Sequence, residues 1–149
     1  MTIYYLDASA WVKRYYAEPG SLWVRGLFQQ NAVLASASLG LVEVAATLAR
    51  KEKAGDIAQS RLDQALLELQ QDWQQFTKVH LTDDVLKDAL RVARAHALRG
   101  ADAVHLASAL LLAADLPAQE DEMILVASDR ELREAALASG LHVVDPSRP

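Results

Sequence analysis

The sequence predicts an α/β protein built on a short parallel sheet, and three observations carry that prediction. Short runs such as Ile3 to Leu6, Val33 to Ala35 and Met123 to Ala127 are apolar at successive positions, as strands covered on both faces require. Segments with apolar residues at helical spacing separate them. Pro19-Gly20, Gly55, Arg99-Gly100 and Gly140 punctuate the alternation at the places where one element should end.

Taken in order, the strand Ile3 to Leu6 leads into a helix marked by Ala8, Trp11, Val12 and Tyr15. A second short helix carries Trp23, Leu27 and Phe28 and precedes the strand at Val33. Ser36 and Ser38 offer caps for the next helix, which contains Glu43. Beyond Gly55, Leu62, Leu66, Leu69, Trp73 and Phe76 recur by fours and threes, the stripe of a long amphipathic helix. Lys78 to Leu81 reads as a short third strand. Thr82 caps a helix whose first turn holds Asp83 and Asp84, favourable against the helix dipole, and Arg99-Gly100 ends it. The helix from about Asp102 to Ala114 is apolar nearly all round, so it should be central. Ser128 and Glu131 have the spacing of a capping box for a last helix that stops at Gly140, and His142 to Val144 closes the pattern. No boundary interrupts the alternation, so residues 1–149 are expected to form one domain.

With 149 residues and 52% hydrophobic content, the chain can bury a core of its own. It has no cysteine, which removes disulfides, thiolate metal ligands and cysteine nucleophiles from consideration. No basic, hydrophobic leader opens it, and its longest apolar run falls short of the roughly 20 residues a membrane span needs. A soluble, cytoplasmic protein with no membrane partner is the expectation. A net charge of -5 argues against a broad basic surface, but not against a nucleic acid held through divalent ions and a local basic strip.

Four carboxylates are out of keeping with their surroundings. Asp7 in YYLDASAW, Glu43 in LGLVEVAA, Asp102 in GADAVHLA and Asp129 in ILVASDRE each adjoin apolar sequence at a strand end or in the opening turns of a helix. In a parallel sheet such positions gather at the edge where strands end, and ligands bind where strand order reverses. Each acid taken singly has an ordinary explanation. Asp7 and Asp102 could be helix caps, and Asp129 could serve a helix dipole. Glu43 could pair with Arg14 or another distant base. Convergence of all four would place like charges in one desolvated spot, a conflict that a hard divalent cation, Mg²⁺ or Mn²⁺, resolves. Such a cluster supports hydrolysis of a phosphodiester without a protein nucleophile.

Four segments, YLDASAWVKRY, SLGLVEVAATLARK, LRGADAVHLASAL and ILVASDRELREAALASGLHVV, together resemble the PIN domain family, and within it the VapC-type toxin ribonucleases of toxin-antitoxin systems. The resemblance covers nearly the whole chain. It implies a three-layer α/β/α sandwich with a short parallel sheet, and a Mg²⁺- or Mn²⁺-dependent endoribonuclease. It also implies an RNA substrate, a cognate antitoxin and frequent homodimerisation. Carried over by position, Asp7, Glu43, Asp102 and Asp129 match the family's acidic cluster as catalytic and metal-binding residues. Ser9 and Ser128 match its small hydroxyl residues in supporting roles. His105 follows the third acid, where a core hydrogen bond is favoured over ligation because hard cations prefer oxygen. Arg130 stands where some members have a further acid, which puts a second metal ion in question. Lys13, Arg14, Arg99 and Arg130 are candidates for RNA contact, whereas Arg50, Lys51 and Lys53 read as a solvated face.

Two other classes compete. A Mg²⁺-dependent phosphatase-like hydrolase would want an acid two residues after Asp7, where Ser9 stands, and a receiver domain would want adjacent acids near the first strand. A non-catalytic interaction module on the same fold would use the acids to receive an arginine, but it has no need of all four.

Overall fold

A computed structural model describes residues 1–116 and 121–149. The elements are β1 (Thr2–Leu6), α1 (Ala8–Trp11) with a 3-10 turn (Val12–Arg14), α2 (Ser21–Gln29), β2 (Val33–Ala37), α3 (Ser38–Lys53) and α4 (Gln59–Gln75). They continue with β3 (Thr77–Val79), α5 (Asp83–His96), α6 (Gly100–Ala114), β4 (Glu122–Val126), α7 (Arg130–Ala138) and β5 (His142–Val144). The sheet runs β3-β2-β1-β4-β5, and every neighbouring pair is parallel.

Alternation along the central strand sorts the core into two layers. Ile3 and Tyr5 join Met123, Leu125 and the buried residues of α5, α6 and α7, among them Val85, Val92, Leu106 and Leu132. Leu6 joins Val126 and the residues of α1 to α4, including Trp11, Leu27, Val44, Leu48 and Leu69. The three-layer sandwich expected of the sequence is therefore present. The connections through α1 to α4 build the sheet outward from β1 in one direction, and those through α5 to α7 build it in the other. Strand order thus reverses between β1 and β4, whose ends carry Asp7 and Asp129.

Helix α6 is as central as its apolar sequence requires, with Ala103, His105, Leu106, Ala107, Ser108 and Ala109 all buried. Among the described residues no single helix is long and apolar enough to cross a membrane.

Several expected boundaries differ. Asp129 caps α7 by accepting from the Leu132 N–H at 3.0 Å, so the cap lies one residue later than the Ser128 capping box implied. The α3 N-terminus has no side-chain cap, and Ser36 Oγ instead donates to the Leu6 carbonyl at 2.6 Å, tying β2 to β1. Helix α5 ends at Ala97 in the left-handed region, φ 52°, and Gly100 begins α6 rather than ending α5. Asp102 therefore lies inside the first turn of α6 and is not its cap. Phe76 leaves the end of α4 in extended conformation, and β3 begins one residue before Lys78 and stops at Val79.

Candidate active site

A cavity of about 720 Å³ opens at the ends of β1 and β4, and Asp7, Glu43, Asp102 and Asp129 all line it, together with Ser9, Ser128 and Lys13. Four elements deliver the four acids. Asp7 follows β1 directly, Asp129 follows β4, Glu43 is on the second turn of α3, and Asp102 is in the first turn of α6. The parallel sheet puts the two strand ends side by side, and α3 and α6 descend from opposite layers to meet over them.

Asp7 is the most deeply placed acid, 3% exposed. It caps α1 through the Ala10 N–H at 3.0 Å and accepts the Ser9 hydroxyl at 2.7 and 2.8 Å, so the capping role and membership of the pocket coexist in one side chain. Ser9 Oγ in turn accepts the Ser128 backbone N–H at 3.0 Å, which fastens the end of β1 to the end of β4. Burial pushes the Asp7 carboxyl up to about 6, against the pull of His105, Ser9 and Ala10, and the neighbouring Asp102 adds to the rise. Asp102 is raised as well, first by burial and then by the charge of Asp129. Both shifts are led by loss of solvent, with repulsion from a neighbouring acid adding to each.

The other two acids have found partners within the chain. Glu43 Oε1 lies 2.5 Å from His105 Nε2, and Asp129 Oδ2 accepts from Arg99 Nη2 at 3.2 Å. Arg99 also approaches Asp102 at 3.9 Å. The pairing of Glu43 with a distant base is thus realised by His105, not by Arg14. His105 is buried and hydrogen-bonded on both ring nitrogens.

No three His, Asp or Glu side chains among the described residues are arranged to hold one metal ion in this structure. The donor chemistry nevertheless suits a hard cation: besides Glu18, which pairs with Lys13, the carboxylates of Asp7, Glu43, Asp102 and Asp129 line one cavity, and the buried Ser128 hydroxyl there has no hydrogen-bond partner among the described residues.

The basic residues sort differently from the expectation. Lys13 lines the cavity, 7% exposed in its side chain, and pairs with Glu18 at 2.9 Å. Arg14 lies elsewhere. Its guanidinium meets Asp72 at 2.9 and 3.3 Å and sits over the Phe28 ring, so the structure assigns it a packing role away from the acids. Arg130 is exposed, pairs with Glu134 at 2.8 Å and does not line the cavity. Arg50 and Lys51, read from the sequence as a solvated face, do line it. Lys51 lies over the Tyr16 ring at 4.6 Å. Their signal was present in the helical period: Arg50 is seven residues, about two turns, beyond Glu43 on the same face of α3.

The PIN domain family model matches residues 4–138. Ribonuclease VapC45 and Ribonuclease VapC49 of Mycobacterium tuberculosis are each 38% identical over 143 residues, covering 96% of this chain and 95% of theirs. Among solved structures, PAE2754 from Pyrobaculum aerophilum superposes with a TM-score of 0.66 at 22% identity, covering 96% of this chain and 84% of that one. A toxin-antitoxin complex from Klebsiella pneumoniae gives a TM-score of 0.65 at 13% identity, covering 97% and 98%. These two likenesses concern the fold.

Proposed function

The chain belongs to the PIN domain family, and from that premise we propose that it is a divalent-metal-dependent endoribonuclease of the VapC type, the toxin of a toxin-antitoxin pair. One observation supports this reading most: Asp7 is nearly buried, forms no ion pair among the described residues, and lines the same cavity as Glu43, Asp102 and Asp129, each drawn from a separate element. Desolvating a carboxylate without compensation costs several kcal/mol in practice, and a protein that needed only a helix cap could keep it at the surface.

In this reading Asp7, Glu43, Asp102 and Asp129 hold Mg²⁺ or Mn²⁺. A cation held there would supply positive charge against the negative charge that develops at phosphorus and would favour deprotonation of an attacking water. Ser9 keeps both Asp7 oxygens in place and locks the two strand ends together. Lys13, Arg50 and Lys51 form a basic side of the cavity that takes the phosphates flanking the scissile bond. Arg99, paired with Asp129 and near Asp102, would be the group to exchange these acids for an RNA phosphate were a cation bound. The names of the relatives extend the reading to a ribonuclease partnered by an antitoxin. A homodimer and a cytoplasmic location complete it.

The test is cleavage of structured RNA by the purified chain with Mg²⁺ or Mn²⁺, beside Asp7→Asn. We expect the variant to lose at least about 100-fold in rate, the loss of charge stabilisation at the reacting phosphate. Equal cleavage by both proteins would overturn the proposal.

A further inference from the structure

A chain of hydrogen bonds begins inside the sheet and ends at the acidic cavity. Tyr5, wholly buried on β1, accepts the Ala37 N–H through its hydroxyl oxygen at 3.2 Å. The same oxygen lies 2.8 Å from His105 Nδ1, and the two rings meet edge to face with centroids 5.8 Å apart. On the far side of the imidazole, Nε2 lies 2.5 Å from Glu43 Oε1. Among the described residues His105 is the only hydrogen-bond partner of that carboxylate.

The direction of the outer bond follows from its end. A carboxylate only accepts, so Nε2 carries the hydrogen; whenever the ring is neutral, Nδ1 is then an acceptor and Tyr5 donates to it. Tyr5 thereby fixes the tautomer that presents an N–H to Glu43. The chain joins the two helical layers over the sheet edge, since His105 belongs to α6 and Glu43 to α3.

Gly40 provides a second, independent sign. A Cβ at that position would stand 3.2 Å from His105 Cε1 and 2.8 Å from Ser36 Oγ. Only an absent side chain lets α3 come this close to the imidazole. The approach is therefore built into α3 one turn before the glutamate.

We propose that Tyr5 and His105 are positioning residues: they hold Glu43 at the cavity with Oε1 engaged and Oε2 left for a divalent cation, and so set the cation affinity from inside the sheet. The inference rests on reading the cavity as a metal site. Partners of this kind, one shell behind the ligands, typically change metal affinity by about 10- to 100-fold when removed.

The experiment measures Mn²⁺ dissociation constants by electron paramagnetic resonance on the full chain and on Tyr5→Phe, His105→Leu and His105→Gln. Tyr5→Phe and His105→Leu should weaken Mn²⁺ binding about tenfold, whereas His105→Gln, which keeps an N–H donor, should stay within about threefold of the parent. Nitrogen-15 spectra of the parent chain should show His105 as the Nε2–H tautomer, a readout that depends on no variant folding. Unchanged Mn²⁺ affinity in folded Tyr5→Phe and His105→Leu, or a neutral Nδ1–H tautomer in the parent, would overturn the inference while leaving the metal site intact. Failure of the parent itself to bind Mn²⁺ would remove the metal-site reading and this inference with it.

Discussion

Asp72 and Asp7 are both withdrawn from water, and the protein treats them in opposite ways. Asp72, on α4, receives the Arg14 guanidinium at 2.9 and 3.3 Å and the Tyr15 hydroxyl at 2.6 Å. The Trp11 indole N–H donates to the Tyr15 oxygen at 3.0 Å, and the Phe28 ring lies under the guanidinium. Charge, hydrogen bonds and aromatic cover are all supplied from within. Asp7 is more deeply buried, yet among the described residues it receives only a hydroxyl and a backbone N–H, and the charge of Asp102 raises its pKa further. A carboxylate that serves the fold carries its own counter-charge. One left short of it at a cavity is placed to take a cation from outside.

Three measurements sharpen or break this contrast, and the largest effect belongs to the compensated acid. Asp72→Ala strands the Arg14 guanidinium and should lower unfolding free energy by about 3 kcal/mol in urea melts, the low end for breaking a buried pair because both partners keep some solvent contact. Asp7→Asn of the metal-free protein should not lose stability. Equal losses at the two positions would show that Asp7 is also a structural charge.

Addition of Mn²⁺ is expected to come next in size. At 100 times its dissociation constant, a ligand that binds only the folded state adds about 2.7 kcal/mol, which should appear as a rise in Tm at pH 7. The parent and Asp72→Ala should both show the rise, whereas Asp7→Asn should lose most of it. A parent Tm indifferent to the ion would count against the cavity as a cation site.

The smallest effect is in the pH dependence of the metal-free chain. Asp7 titrates near 6 when folded and near 3.8 as an unperturbed carboxyl, so between those values the folded state binds the extra proton. Stability should therefore fall as pH rises from about 4 to about 6, by an amount on the order of 2 kcal/mol, and stay reduced above that window. Asp7→Asn should flatten that part of the curve, and saturating Mn²⁺ should reverse its sign. A parent curve that rises steadily across the window would mean that other carboxylates outweigh Asp7.

Much of the fold was legible in local pattern. Apolar runs of strand length marked β1, β2 and β4, and the stripe from Leu62 to Trp73 marked α4. The strands are covered on both faces, so they had to be nearly free of polar residues, and that leaves a strong signal. Helix ends were less legible. Ser128 and Asp129 are both good caps, and the turn after β4 selected the second, which nothing in the composition of SDRE decides. The four acids stood out for the same reason as the strands, being polar where the pattern called for apolar residues. Arg50 and Lys51 read as a solvated face because lysine and arginine at a helix end are ordinary, favoured by the helix dipole whatever else they do.

By itself, then, the sequence determined which residues form strands and helices, and that Asp7 and Asp129 emerge from strand ends, because hydrophobic periodicity and turn chemistry act over a few neighbouring residues. Tertiary structure alone decided who meets whom. Glu43 reaches His105 across 62 positions, Asp129 meets Arg99 across 30, and Arg14 turns away to Asp72 across 58. Those partnerships depend on how two helical layers close over one sheet edge, and on a glycine at position 40 that lets them close so far. Contacts between distant segments follow from packing the whole chain at once, which no local pattern encodes.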